Sequence, residues 1–179
     1  MESWTDEELM CECLALALQD LMQERSFSDI SVSELVKAAG VSRATFYRHF
    51  SSKEEVLERY ISCLIRAYER EIVEGRGFSS YIVPENIVAM ASWFEKNAAF
   101  VETLLRNHMG DFLREPILKH VLGFSLRSEA DPKERLLATA YANALFGLLA
   151  QWVEDGMKTP PEDIADTLCA LYQRRMRRI

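Results

Sequence analysis

Two helix starts stand close together between Ile30 and Phe50, with a glycine between them. Ser31 is followed three residues later by Glu34, and Ile30 and Leu35 flank the pair. That is a capping box inside a hydrophobic staple, a local signal that starts a helix at a defined residue. The helix is short, because Gly40 is the natural residue for a left-handed turn after a helix end. Val41 and Ser42 start again at once, with Ser42 as N-cap and Val41 and Phe46 as staple. This third helix runs only to about Phe50. Two short helices separated by a glycine turn match a helix-turn-helix unit, a spacing that helical hairpins share.

The charge pattern gives that unit a chemistry. The chain carries a formal net charge of −7, yet no Asp or Glu lies between Leu35 and Lys53. Lys37, Arg43, Arg48, His49 and Lys53 all fall in or at the edge of that window. In an acidic chain, an anionic ligand is tolerated in such a window. An ordinary solvated face is the competing explanation.

Phe46 and Phe50 are four apart and share the inward face of the third helix. Ala44, Thr45 and Arg48 then face outward toward a DNA major groove, with Arg43 beside them. Arg pairs with guanine O6 and N7, and Ala and Thr methyls meet a thymine methyl. Ser42, Tyr47 and His49 suit phosphate oxygens, which position the protein without reading sequence. Lys53 opens the fourth helix, whose first amides also attract a phosphate. Structural alternatives are a partly buried ring for Tyr47 and a histidine on the helix dipole for His49.

The rest reads as further helices, with no strand pattern. Thr5 and Glu8 form a capping box with Trp4 and Leu9 as staple, and Leu14, Ala17, Leu18 and Leu21 share one face. Ser52 with Glu55 caps a fourth helix reaching about Val73. A linker is expected at Gly75-Arg76-Gly77, and Pro84 reads as the start of a new helix. Apolar stripes follow at Ile87, Met90, Ala91 and Phe94, at Phe100, Val101, Leu104, Leu105 and Met109, and at Phe112, Leu113, Pro116, Ile117, Val121 and Leu122. Asp131-Pro132 turns into a long apolar helix. Pro160-Pro161 breaks before a last helix striped by Ile164, Leu168, Leu171 and Tyr172. The expected fold is all-α, about nine helices: a helix-turn-helix domain at 1–53 and a helical effector and dimerisation domain at 54–179.

Between Leu136 and Val153 the polar side chains are only Thr139, Asn143, Gln151 and the Tyr141 hydroxyl. That length sits at the threshold for a membrane span. Its alanines, Asn143 and Gln151 favour instead a helix buried on two sides, with no membrane partner. Cys11, Cys13, Cys63 and Cys169 form no C-x-x-C pair and read as reduced, mostly buried thiols of a cytoplasmic protein. The acidic start (Glu2, Asp6, Glu7, Glu8) is wrong for a signal peptide.

Residues 30–57, ISVSELVKAAGVSRATFYRHFSSKEEVL, resemble the DNA-binding signature of the tetracycline-repressor (TetR) family. The AGVSRATFYRHF core and the SKEEVL that opens the next helix carry the resemblance. It implies an all-helical homodimer that regulates transcription, mostly as a repressor released by a small molecule. Its DNA-contacting positions fall here on Arg43, Ala44, Thr45, Tyr47, Arg48 and His49, and its phosphate-contacting lysine on Lys53. The chain departs from the family in one respect. Many members carry a basic N-terminal arm or first helix, whereas Met1 to Lys53 here holds nine acids and five bases, a net of −4. Minor-groove arm contacts are therefore not expected, and non-specific affinity is modest.

The resemblance also assigns the last two helices, about Pro132–Gly156 and Pro161–Arg177, to a four-helix dimer interface. The small residues Ala140, Ala144 and Gly147 allow close helix approach, and Leu148, Leu149 and Trp152 read as anchors. Leu168 and Tyr172 join them from the last helix. Candidates for an effector pocket are Trp93, Phe94, Phe100, His108, Met109 and Phe112, with His120; a plain helical core explains the same residues. His108 and His120 lack metal-site spacing. No G-x-S-x-G, H-E-x-x-H, P-loop or cofactor motif occurs, so neither an enzyme nor a cofactor is expected. The rival reading is an interaction protein of the same fold that acts through a protein partner with weak or no DNA binding. The Arg174-Arg175-Met176-Arg177-Arg178 tail reads mainly as favourable charge at a helix C-terminus.

Overall fold

The computed structural model describes residues 5–70, 84–125 and 132–176. Nine α-helices occur among them: α1 (Asp6–Glu24), α2 (Val32–Ala38), α3 (Arg43–His49), α4 (Lys53–Tyr68), α5 (Pro84–Lys96), α6 (Ala98–Arg106), α7 (Asp111–Ser125), α8 (Pro132–Glu154) and α9 (Pro161–Met176). The all-α expectation holds. The Trp4 staple, the Gly75–Gly77 linker and the Asp131 turn lie outside the described residues.

Local signals place the first elements. Thr5 Oγ1 accepts from the Glu8 amide while Glu8 Oε2 accepts from the Thr5 amide at 3.0 Å. Ser31 and Glu34 do the same at the start of α2. Gly40 sits at φ +67°, the left-handed conformation that ends α2. Ser52 is half a capping box: it caps α4 through the Glu55 amide, but the Glu55 carboxylate turns back to Ser51 and forward to Arg59.

α4 joins the two halves, packing on α1 on one side and on α7 on the other. The head core is Leu14, Leu18, Ile30, Leu35, Phe46, Phe50, Leu57 and Ile61, each almost fully buried. The body buries Ile87, Phe94, Leu104, Leu113, Tyr141 and Leu149. Here α5 lies on α9 and α7 on α8. Residues 135–154 are long and apolar enough to cross a membrane, but Tyr141, Ala142, Leu145, Leu149 and Trp152 along α8 are core residues.

The opposite face of α8 is the unusual one. Leu136 is 72% exposed, and Leu137, Ala140 and Gly147 are exposed with it, while Ala144 and Leu148 are half-buried. The interface set expected from the sequence therefore divides. Ala140, Ala144, Gly147 and Leu148 line the free face. Leu149, Trp152 and Leu168 do not: all three are buried within the protomer. The turn after α8 folds back under Trp152, so its indole Nε1 donates to the Thr159 carbonyl at 2.8 Å. Gly156 and Met157, both at positive φ, make that reversal. Tyr172 lies outside the residues whose side chains are described.

Candidate nucleic-acid interface

The recognition helix α3 is held by its apolar side. Phe46 and Phe50 are buried with ring centroids 5.7 Å apart. Ser42 caps the helix, its Oγ accepting from the Thr45 amide at 3.0 Å and pairing with Thr45 Oγ1 at 2.8 Å. Anchored so, α3 exposes Arg43, Ala44, Tyr47 and Arg48 and half-exposes Thr45 and His49. Tyr47 is 53% exposed, its ring edge-on to Phe46. The partly buried alternative for Tyr47 therefore fails.

The cations of this face divide into free and committed ones. Lys37, Arg43 and Arg48 are exposed, and no ion pair holds them among the described residues. Arg48 Nε donates to His49 Nε2 at 3.2 Å, and His49 Nδ1 stands 3.8 Å from Glu7 Oε1 on α1. The same Glu7 oxygen accepts from Arg59 Nη1 of α4 at 2.7 Å. The first turn of α1 thus brings a carboxylate to the end of the recognition helix.

Lys53 is engaged within the protomer. Its ammonium donates to the Phe27 carbonyl and, at 2.7 Å, to the Ile30 carbonyl, and it stands 4.2 Å from the centroid of the Phe27 ring. It clamps the turn between α1 and α2 to the start of α4. Its ammonium is thus engaged by main-chain oxygens within the protomer. Sequence spacing held no sign of this, because the acceptors lie 23–26 residues away.

The proposed effector residues do not share one cavity. Phe94, Phe100 and Met109 are core, and Trp93 and Phe112 are half-buried. His108 is exposed at φ +58°, where it ends α6. Met109 N donates to Leu104 O at 2.8 Å across that turn, which points the imidazole outward. A small cavity of about 10 Å³ lies between α4, α5 and α7, lined by Ile65, Tyr68, Met90, Trp93, Ile117 and His120. It has room for about one water. His120 is buried there against Glu69, the residue that follows α4; burial lowers its pKa, with Glu69 opposing the shift.

Comparison with known proteins bears on the family and the fold. Residues 16–60 match the model for bacterial regulatory proteins of the tetR family, and residues 83–174 match a transcriptional regulator C-terminal region. The HTH-type regulator YxbF of Bacillus subtilis is 28% identical over 86% of this chain, a match spanning 42% of that relative's length. The regulator EthR of Mycolicibacterium smegmatis is 50% identical over 27% of this chain and 22% of its own. A crystal structure from Listeria innocua superposes with a TM-score of 0.70 at 20% identity, covering 99% of this chain and 95% of that one. A putative TetR-family regulator from Syntrophomonas wolfei superposes at 0.69 with 14% identity, covering 92% and 93%. The two domain models together span the helix-turn-helix head and the helical body, and the chain belongs to the TetR family of bacterial transcriptional regulators.

Proposed function

We propose that the protein is a homodimeric transcriptional repressor that binds a palindromic operator through α3. The observation that carries this reading is the recognition face itself. Arg43, Ala44, Tyr47 and Arg48 are exposed and Thr45 and His49 half-exposed around a helix whose inner side is locked by Phe46 and Phe50. Arg43, Ala44, Thr45 and Arg48 address base edges, and Ser42, Tyr47 and His49 address phosphates.

The free face of α8 supports the dimer. A Cβ added at Gly147 would meet nothing within 4 Å in the protomer, so the space above this glycine is open to a second helix. A two-fold pair built there sets two recognition helices one or more DNA turns apart, about 34 Å or somewhat more. Such a dimer represses by occupying its operator, and it works in the cytoplasm, where the DNA is.

Release is assigned to a small molecule that enters between α4, α5 and α7. The cavity beside Trp93 and His120 must open to admit it, which tilts α4 and changes the spacing of the two heads. Among structural neighbours, FadR of Thermus thermophilus was solved with lauroyl-CoA (TM-score 0.51, 18% identity). Selection from a random DNA pool tests the DNA reading, and a ligand-induced loss of DNA binding tests release. Enrichment of an inverted repeat is the expected result; absence of any enriched sequence overturns the proposal.

A further inference from the structure

α1 presents two faces. Cys11, Leu14, Ala15, Leu18 and Met22 are buried against the core. Around the opposite side run Asp6, Leu9, Cys13, Leu16, Asp20 and Gln23, all exposed. Their spacing alternates between three and four residues, the heptad seam by which one helix receives another. Leu9 is 46% and Leu16 44% exposed, two helical turns apart with the Cys13 thiol between them. Among the described residues the other large exposed hydrophobics are Tyr47 on α3 and Leu136 and Leu137 on α8. Those faces are already assigned to DNA and to the second protomer, whereas the α1 seam has no part in either.

The charge on α1 states what fits the seam. The helix holds six acids and no base. Glu7 and Glu8 turn toward α4 and pair with Arg59 and Arg66. Asp6 and Asp20 instead close the two ends of the apolar seam. A second copy of α1 is a poor occupant. Paired antiparallel about Cys13, it would set Asp6 against Asp20 at both ends; paired in parallel, it would set each acid against itself. A helix with apolar seam residues bracketed by Lys or Arg matches both the Leu–Cys–Leu centre and the acidic ends.

We propose that the outer face of α1 docks a basic amphipathic helix of a partner protein. The surface adds a protein contact to the DNA contact of α3, and its existence does not depend on the operator reading.

The chain carries its own probe. Cys13 is exposed, while Cys11, Cys63 and Cys169 are buried, so maleimide labels Cys13 first. Two designed helical peptides are compared, each with leucine at the seam positions. They differ only in carrying Lys or Glu where they would face Asp6 and Asp20. The Lys peptide is expected to bind in an anisotropy titration and to slow Cys13 labelling about tenfold or more; the Glu peptide should do neither. Asp20→Lys together with Asp6→Lys should reverse that preference. Leu9→Glu or Leu16→Glu should abolish protection without changing helicity or the thermal midpoint, since both side chains stand outside the core. Four outcomes overturn the proposal: unchanged labelling with the Lys peptide, protection that survives the leucine changes, a preference the charge swap does not reverse, or protection that rises with protein concentration alone, which would mean a second copy.

Discussion

Glu7 on α1 and Arg59 on α4 meet at 2.7 Å, and the same carboxylate oxygen stands 3.8 Å from His49 at the end of the recognition helix. One acid therefore stands where three helices meet, beside the exposed face of α3. It also sets a negative charge where phosphates are expected. Glu7→Gln should tighten operator binding by roughly threefold at low salt, the gain shrinking as ionic strength rises. Anisotropy titrations across a salt series measure it; an unchanged or weakened affinity would show that Glu7 acts through geometry alone.

Lys53 should behave as a structural clamp. Lys53→Met keeps the stem over Phe27 but leaves the Phe27 and Ile30 carbonyls without their donor. A loss of about 1–2 kcal/mol in stability follows, read as a lower thermal midpoint. A phosphate-binding lysine would give the opposite pattern, with weaker DNA binding, a smaller salt slope and an unchanged midpoint.

Acid should loosen the helix-turn-helix head through two carboxylates. The amide and hydroxyl of Ser31, and then Arg25, hold Glu34 down to about 2. The hydroxyl and amide of Ser51, and then Arg59, do the same for Glu55. Both folded values lie below the ordinary 4.5, so the stability they contribute is complete above that value. It is lost as pH falls from about 4.5 toward 2. Circular dichroism during acid titration should show helix loss in that window, with a shallower slope in Glu34→Gln/Glu55→Gln.

The free face of α8 is tested at its glycine. Gly147→Ala has room in the protomer and should leave folding untouched, whereas Gly147→Glu should give a folded monomer. Sedimentation velocity separates the two; a dimer that survives Gly147→Glu places the interface elsewhere.

These residues also show what can be read from a linear sequence. The starts of α1, α2 and α3 were legible because caps and staples act over three to five residues, and Gly40 marks a turn whatever surrounds it. The exposed face of α3 was legible for the same reason, since Phe46 and Phe50 fix the rotation of α3 by spacing alone. Lys53 was not, because its acceptors come from a turn more than twenty residues earlier. Trp152 was not either: an apolar residue on a helix apolar nearly all round carries no mark of which side faces the core, and the Thr159 carbonyl decides it only after the chain reverses. His108 was assigned to a pocket, but the left-handed turn at the end of α6 turns it outward.

Selection from a random DNA pool, run in parallel on the wild type and on Arg48→Ala, tests the central claim most directly. The account predicts one enriched inverted repeat for the wild type. For Arg48→Ala it predicts the same repeat, with affinity lower by roughly 1–3 kcal/mol and base preference lost at one position in each half-site. No enriched repeat with the wild type, or an identical preference with the variant, would contradict it.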